Sequence, residues 1–260
     1  MRRLQTDYID LYWLHAWDTV TPVEEVVSAL SDLIRAGKIR YYGFSDTPAW
    51  YVARAKTISE RSSNDGLIAL QLEYSLVERN IEREHVPAAQ ELGLGITPWS
   101  PLAGGFLTGK YQQAGDTGKG EGRLETTKES GNPIFHRFTE RNWQILKVLV
   151  DLAKQLGRPA SQVALNWVAT QPGVTSTIIG ASKLSQLEDN LRYAEFEIPA
   201  EGRKRLDEVS AIELVHPYGF FRPDFQGWIS GATGLRPWQP ARVYAPPAQE
   251  VLVAAKAAAE

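Results

Sequence analysis

The first strand-helix-strand unit of the chain, residues 8–44, reads YIDLYWLHAWDTVTPVEEVVSALSDLIRAGKIRYYGF. Residues 8–14 are rich in Tyr, Ile, Leu and Trp and are short enough for a buried parallel strand. A helical stripe of Val, Leu and Ile follows over residues 23–34, with Thr21 as the expected N-cap and Gly37 as the expected left-handed stop. Residues 39–44 predict the second strand.

The same alternation of strand and helix continues along the chain. Further strands are predicted at residues 67–72, 95–99 and 174–179, and further helices begin near residues 47, 82, 140, 160, 184 and 201. About five parallel strands joined by helical crossovers indicate an α/β protein, either a doubly wound sheet or a (β/α) barrel. Periodicity alone does not choose between these two architectures.

The composition excludes several classes of protein. With 260 residues, 43% of them hydrophobic and 23% charged, and a net charge of -3, the chain is neither disordered nor a polyanion-binding protein. It has no cysteine, which removes disulfides and thiolate metal sites, and its histidines are scattered singly. No apolar run reaches the roughly 18 residues that span a bilayer, and residues 1–20 lack a signal-peptide pattern. We therefore expect a cytoplasmic protein.

Polar and aromatic residues lie at the ends of the predicted strands, where parallel sheets and barrels build their sites. In chain order they are His15, Ser45, Asp46, Gln71, Trp99, Ser100, Gly180 and Ser182. Each has an ordinary structural explanation when taken alone, such as a hydrogen-bonded core histidine or a core tryptophan. As a set, they predict a functional site at the carboxyl ends of the strands.

Five motifs stand in the order and spacing of the aldo-keto reductase superfamily. They are YIDLYWLH (8–15), GFSD (43–46), LQLEYSL (70–76), TPWSPLAGGFLTGKY (97–111) and IIGASKLSQLEDNL (178–191). The chain resembles this family from about residue 4 to residue 212, and most closely its bacterial members and the related potassium-channel β subunits. The resemblance implies a (β/α)8 barrel that binds NADPH at the carboxyl ends of its strands and reduces aldehydes or ketones.

The resemblance also implies roles for individual residues. His15 matches the catalytic histidine that hydrogen-bonds the substrate carbonyl. Ser45, Asp46 and Gln71 match the residues that hold the nicotinamide carboxamide, although the family more often has Asn or Arg in place of Asp46. Trp99 matches the aromatic residue that stacks on the nicotinamide ring.

The remaining matches concern the phosphates and the adenine of the cofactor. Ser100, Leu102, Gly104 and Lys110 match the loop that covers the pyrophosphate. Ser182 and Gln186, with Gly180 just before them, match the site of the 2'-phosphate. Asp189 and Asn190 match the adenine contacts. Lys183 and Arg123 are either further cations of this site or solvated surface groups. These matches imply NADP rather than NAD.

The resemblance implies that the chain starts at the end of the family's third helix, so we expect about three βα units of the barrel to be missing. The family's catalytic Asp, Tyr and Lys belong to those units, and Tyr74 is the one tyrosine here that we consider as a substitute. We expect a partial (β/α)8 TIM barrel over residues 1–212 and an aromatic and Ala-rich tail over residues 213–260. Open barrel edges predict a homo-oligomer. The tail aromatics either cover the gap or cap the barrel end: Phe220, Phe221, Phe225, Trp228 and Trp238.

Three functions are compatible with these features. The first is an NADP(H)-dependent oxidoreductase for a small carbonyl substrate, impaired by the loss of Asp, Tyr and Lys and using His15 as the acid. The second is an NADP-binding or oligomerising module without efficient catalysis. The third is a truncated product with another, acquired activity, although no G-x-S-x-G elbow or paired-carboxylate motif supports hydrolysis.

Overall fold

The computed structural model describes residues 2–62, 66–114, 117–119, 122–127 and 129–231, so that Trp238 lies outside the described residues. Its strands are β1 (Ile9–Leu14), β2 (Ile39–Ser45), β3 (Leu67–Glu73), β4 (Gly95–Trp99), β5 (Gln112–Ala114) and β6 (Thr117–Lys119). Its α-helices are α1 (Val23–Arg35), α2 (Ala49–Arg61), α3 (His85–Leu92), α4 (Arg123–Thr127), α5 (Glu140–Leu156), α6 (Ala160–Ala169), α7 (Leu184–Leu191), α8 (Ala200–Val209) and α9 (Pro223–Ile229). Within these ranges no helix is both long and apolar enough to cross a membrane.

Strands β1 to β4 form one parallel sheet whose spatial order is the order of the sequence. Ser45 at the end of β2 lies beside Gln71, and Glu73 at the end of β3 lies beside Trp99. The carboxyl ends of the strands therefore meet at one edge, as the pattern of strand-end residues predicts. The α/β class with parallel strands is confirmed. The four-stranded sheet does not close on itself, so the partial barrel stays a prediction.

One face of this sheet forms the main core with the surrounding helices. Tyr42, Phe44 and Leu70 are completely buried there. The Phe44 ring lies 6.0 Å from the ring of Tyr51 on α2, and the Tyr42 hydroxyl donates to Ser59 on the same helix at 3.2 Å. Burying each large apolar side chain contributes about 1.5–3 kcal/mol, so this face holds the helices on the sheet.

The predicted strand at residues 174–179 is not a regular strand in the structure. Val174 forms only an isolated parallel bridge to Ile96, and the Ile178 N–H donates to the Pro98 carbonyl of β4 at 2.9 Å. Pro98 has no N–H to donate, so the hydrogen-bond ladder cannot continue regularly past this residue. The segment thus runs beside β4 without forming a fifth regular strand.

The predicted N-cap of α1 at Thr21 is wrong. Helix α1 begins at Val23 with Pro22 as its N-cap, and no side chain caps it. The Thr21 hydroxyl donates instead to the carboxylate of Asp18 at 2.5 Å, and the Thr21 N–H donates to the same carboxylate at 2.8 Å. Asp18 therefore organises the loop ahead of the helix, and the fixed φ of Pro22 leads into the first turn.

Strand β1 is an edge of the sheet. Within the described residues it pairs with β2 alone. Tyr12 in this strand is 39% exposed, and Tyr8, just before it, is 37% exposed. An edge strand presents unpaired backbone groups that favour pairing with another chain. The expected self-association stays a prediction. Light scattering tests it by measuring the molar mass of the protein in solution.

The described part of the tail is attached near α3. The Arg83 side chain donates to the Glu213 carbonyl at 2.7 Å, and the Tyr218 hydroxyl donates to Glu84 at 2.5 Å. Phe221 is 63% and Trp228 78% exposed, so these two rings are only partly covered by their neighbours. The two expected positions of the tail, over the open edge of the barrel or over the barrel end, both stay predictions.

Gly43 in β2 allows the close approach of β1, because a Cβ at this position would lie 2.3 Å from the Trp13 ring and 2.9 Å from the Ala69 carbonyl oxygen. We expect Gly43→Ala to destabilise the fold by about 1–3 kcal/mol, as overpacking does. Urea unfolding measures this change. Gly180→Ala is the control, because a Cβ there meets nothing within 4 Å. Equal stability of the two variants would contradict the described packing of β1.

Candidate active site

A cleft of about 910 Å³ is lined by the segment after β4, by the residues around the start of α7, and by Gly122, Arg123, Ile134 and Phe135. It is within the usual size range of small-molecule and cofactor sites. Ten of the residues predicted to bind the cofactor line it: Trp99, Ser100, Leu102, Gly104, Lys110, Gly180, Ser182, Gln186, Asp189 and Asn190. The structure therefore brings together two motifs whose residues are separated by up to about ninety positions in the sequence.

The segment after β4 is shaped by residues in the left-handed region. Ser100 has a φ of 55° and Ala103 a φ of 50°, and Gly104 and Gly105 follow at 66° and 89°. The Ser100 hydroxyl accepts the Gly104 N–H at 3.3 Å. Non-glycine residues in this region cost free energy and occur where a structure needs a special turn. Here the turn folds the segment back over the cleft.

The opposite wall of the cleft is positioned by side-chain amides. Gln162 on α6 donates to both the carbonyl and the carboxylate of Asp189, each at 2.9 Å. At the start of α7, the N–H and hydroxyl of Ser182 both donate to the Gln186 side chain at 3.1 Å. These bonds fix α7 on α6 and set the positions of three predicted cofactor residues.

The charges on the cleft suit an anionic ligand. Lys110 and Arg123 line it, and Asp189 is the carboxylate among its lining residues. The Arg123 guanidinium also lies 5.4 Å from the centre of the Phe135 ring. Lys183, the other predicted cation, is the N-cap residue of α7 and does not line the cleft. The volume, the two cations and the Trp99 ring fit a phosphorylated dinucleotide.

The residues predicted to hold the nicotinamide also meet in space. The Trp99 indole N–H donates to Asp46 Oδ1 at 3.1 Å, and the Ser45 hydroxyl donates to Asp46 Oδ2 at 3.3 Å. The Asp46 N–H in turn donates to the Gln71 carbonyl at 3.1 Å. Of these four residues, Trp99 lines the large cleft, so the group adjoins one end of it.

His15 and Tyr74 are placed differently. His15 follows the last residue of β1 and is exposed, and it lines neither the large cleft nor the second cavity described below. Tyr74 is only 1% exposed and donates its hydroxyl to Glu82 at 2.6 Å. Burial, followed by the nearby charge of Glu82, raises the Tyr74 pKa far above its ordinary value. Tyr74 is therefore not a suitable proton donor.

Residues 1–211 match the family model described as the aldo/keto reductase family. The chain belongs to this family. It is 37% identical over 209 residues to the "uncharacterized oxidoreductase YrpG" of Bacillus subtilis, covering 80% of this chain and 60% of that protein. It is 35% identical to the "probable voltage-gated potassium channel subunit beta" of Oryza sativa, covering 84% of this chain and 65% of the relative.

A third relative is the "norsolorinic acid reductase" of Aspergillus flavus, with 28% identity over 92% of this chain and 58% of that protein. The chain thus spans about 60% of the length of these relatives. The predicted family resemblance is confirmed, including its bacterial and channel-subunit members. An oxidoreductase of this family generally uses NAD(P)H and acts on small carbonyl compounds.

A second cavity of about 330 Å³ lies among three consecutive βα loops of the chain. It is lined by Trp17, Asp46, Thr47, Pro48, Leu72, Glu73, Glu78, Ile81 and His85. Neither Glu73 nor His85 is among the site residues that the sequence predicts. Glu73 lies two residues after Gln71 in the same strand, and this spacing places both on one face. In the described residues, no group of three or more His, Cys, Asp or Glu is arranged to hold a metal ion.

Glu73 forms a buried ion pair with Arg137, whose side chain is 8% exposed against 15% for that of Glu73. Burial raises the pKa of the Glu73 carboxyl, and the Arg137 charge opposes this effect. The pair joins the end of β3 to the segment before α5. It therefore supports the edge of the sheet that carries the candidate site.

We expect Arg137→Ala to destabilise the protein by about 3–5 kcal/mol at pH 7, because it leaves a buried carboxylate without its cation. Without Arg137 the folded-state pKa of Glu73 rises further above its unfolded value. The folded variant then takes up a proton as the pH falls, so the loss of stability relative to wild type shrinks toward pH 5. Urea unfolding at both pH values measures this. Adding Glu73→Gln should restore part of the loss at pH 7; an equal loss in both variants would contradict the pairing.

Proposed function

We propose that the chain binds NADP(H) and acts as an oxidoreductase of the aldo/keto reductase type that reduces aldehydes or ketones. The observation that carries this proposal is the large cleft, which gathers ten of the thirteen predicted cofactor residues. Two cations and a tight, glycine-containing segment line it, and both features suit phosphate groups. Family membership supports the oxidoreductase class.

In this proposal the cleft holds the cofactor along its length. The segment from Ser100 to Lys110 covers the pyrophosphate, and the start of α7 with Ser182 and Gln186 receives the 2'-phosphate. An exposed helix start offers N–H groups and a favourable dipole to an anion. NADP is therefore proposed over NAD, because the 2'-phosphate adds negative charge at this point.

The other end of the cofactor is proposed to lie at the Trp99 ring and its neighbours. Asp46 accepts a hydrogen bond from the indole, and Ser45 and Gln71 bond to Asp46 in turn, at the carboxyl ends of β2 and β3. Bound NADPH supplies the hydride for carbonyl reduction. His15 donates the proton to the carbonyl oxygen, since its exposed ring is free to reach a bound substrate and histidine is the side chain that most often serves as a general acid.

Binding without efficient turnover is a second candidate function. The burial of Tyr74 favours it, because this tyrosine is held by Glu82 and does not reach the cleft. A positioned general acid contributes about 10²- to 10⁴-fold to the rate. A protein that relies on His15 alone would therefore reduce carbonyl compounds slowly while still binding the cofactor.

We expect saturable quenching of tryptophan fluorescence by NADPH, with weaker binding of NADH, because Trp99 lines the cleft and the 2'-phosphate adds contacts. The double variant Ser182→Ala with Gln186→Ala should reduce NADPH affinity about 10- to 100-fold and leave NADH affinity nearly unchanged. Ser185→Ala on the same helix is the control, because this exposed residue does not line the cleft. Absence of NADPH binding to the wild type would contradict the proposed function.

The His15→Ala variant should lose most NADPH-dependent reduction of a simple aldehyde, by about 100-fold or more, because the proposed proton donor is removed. Its NADPH affinity, measured by the same fluorescence titration, should stay unchanged because His15 does not line the cleft. Turnover in His15→Ala equal to that of wild type would rule out the proposed role. No turnover in either protein, together with NADPH binding, would favour the binding module.

A further inference from the structure

The carboxylate of Asp46 is held in one orientation at the edge of the sheet. Both of its oxygens accept hydrogen bonds, Oδ1 from the Trp99 indole at 3.1 Å and Oδ2 from the Ser45 hydroxyl at 3.3 Å. Its backbone has a φ of 45° and its N–H donates to the carbonyl of Gln71. Backbone and side chain together therefore place a fixed negative charge against one edge of the Trp99 ring.

Neutral groups are the hydrogen-bond partners of this charge. The neighbouring carboxylate of Glu73 has the Arg137 guanidinium beside it, whereas none of the ion pairs found among the described residues includes Asp46. Asp46 also lines the second cavity, so part of it faces open space. The negative charge of Asp46 therefore attracts or repels the charged groups of a ligand that binds next to the Trp99 indole.

The chemistry of a carboxylate differs here from that of an amide. An asparagine side chain both donates and accepts hydrogen bonds and carries no charge, whereas an ionised aspartate only accepts and is negative. The nicotinamide ring is positively charged in NADP⁺ and uncharged in NADPH. A negative side chain beside the ring therefore interacts differently with the two forms of the cofactor.

We infer that Asp46 makes the site bind NADP⁺ more tightly than its amide counterpart would, relative to NADPH. This inference rests on the proposed function, which puts the nicotinamide at Trp99. The attraction between one negative charge and a positively charged ring a few ångströms away, in a solvent-exposed site, corresponds to a preference for NADP⁺ over NADPH of about three- to tenfold. By linkage, tighter binding of the oxidised form makes the bound NADPH a stronger reductant, and a tenfold preference equals about 30 mV for a two-electron couple.

Asp46 is thus a specificity residue for the redox state of the cofactor. Asn or Arg, the residues that the family resemblance implies for this position, would lack this negative charge. The hydrogen bond to Trp99 serves the same role, because it keeps the carboxylate next to the surface on which the ring is proposed to lie.

Isothermal titration calorimetry with NADP⁺ and with NADPH tests the inference without any turnover. Asp46→Asn should lower the affinity for NADP⁺ about three- to tenfold relative to that for NADPH. Asp32→Asn is the matched control, because it removes the same charge from an exposed position on α1 and should leave the ratio of the two affinities unchanged. Trp99→Phe should weaken both nucleotides and also reduce the preference for NADP⁺, because it removes the indole N–H that holds the carboxylate beside the ring.

The outcomes separate this inference from the proposed function. Binding of both nucleotides with the same ratio in wild type and Asp46→Asn would overturn the role of Asp46 and leave the proposed function intact. Binding of neither nucleotide to the wild type would overturn both. If circular dichroism shows that Asp46→Asn does not fold, the wild type is used for the test instead. Its affinity for NADP⁺ relative to NADPH should fall as added salt screens the Asp46 charge. A ratio of affinities that salt leaves unchanged would contradict the inference.

Discussion

The parallel backbone ladder of β1 to β4 is the constraint on which the rest of the structure depends. Parallel strands in this register all end at the same edge, so residues from separate motifs meet there, and hydrogen bonds such as that from Trp99 to Asp46 then fix them. The ladder is held in turn by its buried face, where Phe44 and Leu70 pack beneath the helices. At the opposite face, Gly43 lets the Trp13 ring lie close to β2. The position of the candidate site follows from this sheet.

The cleft beside the sheet depends on a different kind of interaction. Its walls are held by polar side chains that bond to backbone, as Gln162 does to Asp189 and Asn166 does to the Tyr193 carbonyl at 2.9 Å. Such bonds come from α6, whose residues are mostly buried, and reach the segment around α7. A helix that is itself rigidly buried thereby positions exposed ligand-binding groups. This arrangement preorganises the cleft before any ligand arrives.

The two ends of the site carry opposite charges. Lys110 and Arg123 lie at the end where the phosphates are proposed to bind, and the carboxylates of Asp46 and Glu73 lie at the strand ends. Arg137 balances Glu73, so the negative character there comes from Asp46 and from Glu78, which lines the same second cavity. A dinucleotide whose phosphates are anionic and whose oxidised ring is cationic matches this gradient of charge. The electrostatics thus favour one direction of binding along the cleft.

The sequence by itself determined the family, most of the order of strands and helices, and ten of the residues that line the cleft, because period, turn residues and motif spacing are local properties. The start of the helix Glu140–Leu156 was predictable for this reason. The irregular path of residues 174–179, the buried position of Tyr74 and the pairing of Glu73 with Arg137 were decided by the tertiary structure alone. Each of these features depends on a contact between separate elements: residues 174–179 with Pro98, Tyr74 with Glu82, and Glu73 with Arg137. A local sequence pattern does not indicate where such a partner lies in space.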